Sequence, residues 1–166
     1  MILIGLGSNI DGPWGSPREM LREARRRLDR NGIAVERSSA LVETAPLGMA
    51  DQPNFLNAVV RLATQLVPEA LLARLEEVER AAGRQRARRW GPRTLDLDLL
   101  DHDGLQLATD RLILPHPEIA NRPFVLIPLA QIAPGWRHPV SGRTASELLS
   151  RLPGGAEGRV LDETAW

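Results

Sequence analysis

The chain has 166 residues, 43% of them hydrophobic, and its 21 basic residues balance 21 acidic ones to a formal net charge of zero. That length predicts one domain over 1–166, and the balanced charge gives no global attraction to nucleic acid or to an anionic membrane. Cysteine and lysine are both absent. Their absence excludes disulfides, thiol nucleophiles, cysteine-ligated zinc, the Walker A loop, the protein-kinase strand lysine and lysine Schiff bases.

Met1-Ile2-Leu3-Ile4 carries no basic flank and is too short an apolar run for a secretory signal. No stretch approaches the roughly 20 apolar residues of a membrane span. The expectation is a cytoplasmic protein with no membrane contact. Residues 2 to 7 read as a buried strand. Ser16-Pro17 opens a helix, with Ser16 as N-cap and Pro17 at the first helical position; Met20, Leu21, Ala24 and Leu28 mark its buried stripe, and Asn31-Gly32 stops it. Residues 33 to 43 and 54 to 65 read as long strands. Val67-Pro68 begins a second helix, with Leu71, Leu72, Leu75, Val78, Ala81 and Ala82 at helical spacing and Gly83 at its end. An arginine-rich stretch and a strand through Asp96 follow. Asp103-Gly104 has hairpin-turn chemistry, and short strands near 105–107 and 111–114 would complete the sheet. Residues 124–132 and 144–151 read as helices, and 153–166 as a flexible tail. The order βαββαβ matches the ferredoxin-like split βαβ unit: an α+β fold with helices packed on one face of an antiparallel sheet and the site on the open face.

The run Arg89-Trp90-Gly91-Pro92-Arg93-Thr94-Leu95-Asp96-Leu97-Asp98-Leu99-Leu100 is the most informative part of the chain. Leucine and aspartate alternate with the period of a half-buried strand. Asp96 and Asp98 therefore project from one face, with Cα atoms roughly 7 Å apart, while the leucines turn to the core. Two such carboxylates repel unless a cation lies between them, and magnesium suits hard oxygen ligands completed by substrate phosphates. Arg84, Arg86, Arg88, Arg89 and Arg93 precede the strand, and guanidinium forks match phosphate oxygens. Alone, D-x-D is most often a solvated strand face, and an arginine run a solvated surface or nucleic-acid patch. Joined through a Gly-Pro turn, they point to nucleotide phosphoryl chemistry. Gly5-x-Gly7 is only a partial dinucleotide fingerprint, since Ile10 stands where the third glycine would be; it reads as a tight turn after the first strand.

The same run resembles the signature of the 6-hydroxymethyl-7,8-dihydropterin pyrophosphokinase family of the folate pathway, whose R-W-G-P-R-T-L-D-L-D pattern stands here without a departure. The resemblance extends over residues 1 to 135. It takes in Gly5-Leu6-Gly7-Ser8-Asn9, Thr44-Ala45-Pro46-Leu47-Gly48, Asp51-Gln52-Pro53-Asn54-Phe55-Leu56-Asn57, Leu114-Pro115-His116-Pro117 and Asn121-Arg122-Pro123-Phe124.

What the resemblance implies is transfer of the pyrophosphoryl group of ATP, the co-substrate, to the pterin hydroxymethyl, with release of AMP. Asp96 and Asp98 would bind two Mg²⁺ and, with Arg84 and Arg93, form the catalytic group. Arg84, Trp90, Arg93, Arg111, His116 and Arg122 would contact ATP, with Trp90 closing over it and His116 donating to phosphate rather than binding metal. Asn57 and the backbone of Thr44, Ala45 and Leu47 would pair with the pterin edge, and Phe55 and Phe124 would stack on its ring. The first of those walls is tyrosine in some relatives, as is position 117, so Pro117 supplies no hydroxyl. Glu79 reads as part of an acidic helix surface, with a family role near the nucleotide as the alternative. His102 and His138 match no motif and read as surface.

The competing reading is an RNA-binding or nucleotide-sensing module on the same fold. Against RNA stand the zero net charge, 4% aromatics and no aromatic strand for base stacking. Against a module without chemistry stands the presence of both aspartates. The expectation is a monomer that binds two small molecules and no nucleic acid.

Overall fold

The computed structural model describes residues 1–46, 51–84, 91–153, 158–161 and 166. Its elements are β1 (Ile2–Ser8), α1 (Pro17–Leu28), β2 (Ile33–Ser38), β3 (Leu41–Thr44), β4 (Phe55–Thr64), α2 (Pro68–Ala81), β5 (Asp96–His102), β6 (Leu107–Ala108), β7 (Ile113–Leu114), α3 (Pro123–Ile132), α4 (Ala145–Leu149) and β8 (Arg159–Leu161). Local chemistry sets the helix starts. Ser16 closes a capping box, accepting from the Glu19 N–H while the Glu19 carboxylate takes the Ser16 N–H at 2.7 Å. Proline opens α2 and α3, where its missing N–H costs nothing.

The main sheet runs β5-β1-β4-β3-β8, with β2 also on β4, and every pairing is antiparallel. With β2 and β3 counted together, the core is the expected split βαβ arrangement: β1 separates β5 from β4, and α1 and α2 cross the same face. Alternation divides the side chains. Ile2, Ile4 and Leu6 of β1, Ala58, Val60 and Leu62 of β4, and Leu97 and Leu99 of β5 pack with Met20, Leu21, Ala24 and Leu28 of α1 and Leu71, Leu75 and Val78 of α2. Leu3, Val59 and Leu100 point the other way, into a second cluster with Val125, Leu126, Leu129 and Ile132 of α3, Trp136, and Leu148 of α4.

Four sequence expectations change. Helices cover both faces, because α3 is apolar enough to bury Leu3, Val59 and Leu100; the second face stays open only beyond them. The predicted strand 33–43 is two strands, broken at Ser39-Ala40, where the Ser39 hydroxyl accepts the Val59 N–H at 3.0 Å. Asp103 and Gly104 do form a tight turn with φ of 54° and 72°, but the strand after it does not pair back onto β5. The outer edge of β5 is already taken, by Glu79 on the Leu97 N–H and by the His116 N–H on the Leu100 carbonyl. Accordingly β6 and β7 pair with each other in a separate two-stranded sheet. Finally, 153–166 is not simply a tail. Arg159–Leu161 pairs with β3, and Trp166 is 0% exposed, its indole N–H donating to the Ser39 carbonyl at 2.7 Å under the Arg25 guanidinium. Among the described residues, no helix is long and apolar enough to cross a membrane.

Trp166→Ala removes a fully buried indole and leaves the Ser39 carbonyl without its donor. The expected cost is about 3 to 5 kcal/mol, read as a clear fall in melting temperature. An unchanged melting temperature would show that the end of the chain contributes nothing to stability.

Candidate active site

The open part of the second sheet face carries the site, and its floor is made by what β1 lacks. Asp96 and Asp98 of β5 lie opposite Gly7 and Gly5 of β1, and Asn57 of β4 lies opposite Gly7 on the other side. A Cβ on Gly7 would come within 3.1 Å of Asn57 Oδ1, and one on Gly5 within 3.5 Å of Leu100. These glycines belong to a strand and not to the tight turn expected of them. They leave a bare backbone floor between the aspartates and the asparagine.

The cleft above this floor has a volume of about 360 Å³ and is lined by Thr44, Ala45, Phe55, Asn57, Arg93, Asp96, Asp98, Arg122 and Phe124, among others. At one end, the Asn57 amide is buried and donates to Thr44 Oγ1 at 2.9 Å, with the Val42 carbonyl at 3.5 Å. Its donor side is thus occupied by β3. Its Oδ1 lies over Gly7, available to a ligand donor. The Arg122 guanidinium lies 5.7 Å from the Phe124 ring centroid, within cation–π range.

At the other end, the carboxylates are held by arginines. Arg84 Nη2 is 3.1 Å from Asp96 Oδ1, and Arg122 Nη1 is 3.4 Å from Asp98 Oδ2. Burial pushes the Asp96 carboxyl above the usual carboxylate range, and the Asp98 charge adds to this against Arg84, Arg93 and Arg122. His116 Nε2 stands 4.0 Å from Asp98 Oδ1, while its Nδ1 accepts the Glu118 N–H at 3.2 Å. Burial lowers the His116 pKa although Asp98 opposes this. The neutral ring therefore carries its proton on Nε2, as a donor facing the carboxylates. The donor chemistry of two neighbouring carboxylates fits Mg²⁺. Among the described residues no set of three or more His, Cys, Asp or Glu could hold a metal, so further oxygens would come from water or substrate.

A second cleft, of about 300 Å³, opens on the other side of Asp98. It is lined by Leu72, Leu97, Leu99, Thr109, Arg111, Leu112, His116 and Pro117, among others. Arg111 lies there with its guanidinium 3.0 Å from Glu76. Both clefts share Asp98.

The structure thus brings together Thr44, Ala45, Phe55, Asn57, Arg93, Asp96, Asp98, Arg122 and Phe124 around the first cleft, and Arg111 and His116 around the second. Arg84 joins them through Asp96. Leu47 and Trp90, with Arg86, Arg88 and Arg89, lie outside the described residues. Two further residues build the site. Asn9, buried, takes the Arg93 N–H on Oδ1 at 2.8 Å and donates to Gln52 Oε1 and the Pro53 carbonyl at 2.8 and 3.0 Å. It ties the Gly-Pro-Arg turn to the chain entering β4. Its only sequence signal is its place in the Gly-Ser-Asn run after β1. Glu79 is buried and not part of a solvated helix surface, because it bonds the β5 backbone and Arg84. His102 and His138 have local partners: His102 Nε2 lies 2.9 Å from the Leu66 carbonyl, and His138 Nδ1 accepts the Val140 and Ser141 N–H groups.

A sequence model of the 7,8-dihydro-6-hydroxymethylpterin-pyrophosphokinase family matches residues 3–134. The chain is 45% identical over 156 residues to the 2-amino-4-hydroxy-6-hydroxymethyldihydropteridine pyrophosphokinase of Methylorubrum extorquens, covering 93% of this chain and 95% of that protein. It is 47% identical over 131 residues to the mitochondrial folate synthesis bifunctional protein of Arabidopsis thaliana; the match takes in 79% of this chain but 23% of that protein. Among solved structures, the wild-type HPPK-DHPS of Plasmodium falciparum with STZ-DHP superposes with a TM-score of 0.68 at 14% identity, over 90% of this chain and 43% of that one, a likeness of fold.

The Asp96 shift has a consequence for stability. A carboxyl whose pKa is raised on folding binds more protons in the native state, so its contribution weakens as pH rises from the ordinary carboxylate range through the raised value. Asp96→Asn removes that loss. With EDTA present and no nucleotide, the variant's melting temperature should exceed the parent's at neutral pH, and the gap should close toward pH 4. A lower melting temperature at neutral pH would mean that the Arg84 contact outweighs the burial and repulsion.

Proposed function

The chain belongs to the 7,8-dihydro-6-hydroxymethylpterin-pyrophosphokinase family, and from that premise we propose that the two clefts meeting at Asp98 are where it works. The protein is an ATP-dependent pyrophosphokinase of folate biosynthesis: it transfers the pyrophosphoryl group of ATP to 6-hydroxymethyl-7,8-dihydropterin, giving AMP and the pterin diphosphate. The observation that carries the placement is the shared wall. The first cleft has a flat glycine floor, phenylalanines and a buried amide. The second has apolar walls beside Arg111 and His116. A group passing from one ligand to the other would pass Asp98.

In this reading the pterin lies in the first cleft. Asn57 Oδ1 accepts from its amino edge, and backbone groups of Thr44, Ala45 and Leu47 complete the pairing. Phe55 and Phe124 wall its ring, and stacking of this kind contributes about 0.5 to 1.5 kcal/mol beyond area burial. The nucleoside lies in the second cleft. Arg84 leaves Asp96 and Arg122 leaves Asp98, and together with Arg93 they turn N–H groups to the polyphosphate, with His116 Nε2–H donating alongside them. The pterin hydroxyl oxygen attacks the β-phosphorus in line, its proton passes to Asp96 or to water, the bond from that phosphorus to the α,β-bridging oxygen breaks, and AMP leaves. Asp96 and Asp98 would hold Mg²⁺, two ions in this reading, which would supply positive charge to the entering and leaving oxygens. The arginines and the aspartates exchange partners: each guanidinium that neutralises a carboxylate in the free enzyme neutralises phosphate in the complex.

Chromatography of a turnover mixture tests the reaction. AMP should form in step with pterin diphosphate, and stoichiometric ADP would overturn pyrophosphoryl transfer. Asp98→Ala tests the placement. It should reduce turnover at saturating substrates and Mg²⁺ by about a hundred- to a thousandfold, the scale of lost charge stabilisation in a transition state. Its fold should persist, because the side chain faces the cleft and leaves no core cavity. Unaltered turnover would remove Asp98 from the mechanism.

A further inference from the structure

Glu79 and Asp101 are the buried carboxylates among the described residues. A carboxylate taken out of water is costly unless its oxygens are bonded. Asp101 spends its bonds on the scaffold: it accepts the Trp136 indole N–H at 2.7 Å and the Gly104 N–H at 2.9 Å. Glu79, 7% exposed in the last turn of α2, spends both of its own on the site. Oε1 accepts the N–H of Leu97, the residue between Asp96 and Asp98, at 2.9 Å. Oε2 takes Nη1 of Arg84. Arg84 then presents its other terminal nitrogen, Nη2, to Asp96.

We propose that Glu79 is a positioning residue for pyrophosphoryl transfer: it anchors one side of the Arg84 guanidinium on the edge of β5, so that the other side faces the phosphates. The proposal rests on the reading of the clefts given above. Among the described residues Arg84 has two acidic partners in the free enzyme, Glu79 and Asp96. When Asp96 is engaged by a cation, Arg84 loses that partner, and Glu79 alone keeps the fork from turning into solvent. The arrangement also fixes Arg84 relative to the carboxylates, because one side chain grips both the arginine and the backbone between the two aspartates. A guanidinium held this way needs no reorientation when charge develops on the phosphate.

A double-mutant cycle tests this. Glu79→Gln keeps the side-chain length and an amide oxygen for the Leu97 N–H, and removes the charge that holds Arg84. Alone it should lower kcat about ten- to hundredfold, the range typical of lost positioning, with pterin KM unchanged and Arg84 still present. In an Arg84→Ala background it should cost less than about twofold. Glu79→Asp, too short to reach both partners, should repeat the pattern if the glutamine variant folds poorly. The same cycle read as calorimetric affinity for the Mg²⁺ complex of α,β-methylene-ATP should show the same loss of effect without Arg84. Full kcat in either Glu79 variant, or an equal cost with and without Arg84, would overturn the proposal. AMP formation by the parent enzyme reports on the reaction itself, so the two readings fail separately.

Discussion

Asp96 and Asp98 are two like charges held on one strand face, and much of the site can be read as a response to their repulsion. A strand has no freedom to turn alternate residues apart, so the carboxylates must be neutralised by what surrounds them. In the free protein that is done by Arg84 and Arg122, at 3.1 and 3.4 Å, with the His116 N–H nearby. These groups come from three separate places: Arg84 from the end of α2, Arg122 from the N-terminus of α3, and the neutral His116 donor from the loop after β7. The fold is thereby committed to bringing these segments to one edge of the sheet. It is also committed to a site that is charge-balanced without ligands, in which a metal polyphosphate can replace internal ion pairs by external ones at little net electrostatic cost.

The same constraint accounts for the glycines. If β1 carried side chains at positions 5 and 7, they would fill the space directly between the aspartates and Asn57. A flat floor lets a planar ligand lie across the sheet with one edge at the amide and its far end at the carboxylates. The apolar residues on the opposite face of the same strands, Ile4, Leu6, Val60, Leu97 and Leu99, pack against α1 and α2 and keep that floor rigid. The bare cleft floor and the packed core therefore lie on alternate residues of the same strands.

The buried polar groups follow a similar division. Asn9 ties the turn at Arg93 to the chain entering β4, and Glu79 ties α2 to β5 and Arg84. Neither contacts the floor of the cleft. Each joins two segments that carry site residues, which is how loops with few apolar contacts of their own can hold charged side chains in register.

The sequence by itself determined the helices, the strands β1, β4 and β5 and the direction of the aspartates, because these follow from local periodicity and capping: Ser16 with Glu19, Pro68, and Leu95 to Leu99. It also pointed to most of the candidate site, because the run through Asp98 and the shorter motifs around Asn57, His116 and Arg122 resemble one family's motifs in their order. Only the tertiary structure decided the rest. Whether Gly5-x-Gly7 is a turn or a floor depends on what lies across the sheet from it. Whether Glu79 faces water depends on the edge of β5. The split at Ser39, the separate pairing of β6 with β7, and the burial of Trp166 each depend on a partner far away in the chain. Periodicity reports which face a residue is on; it cannot report what that face will meet.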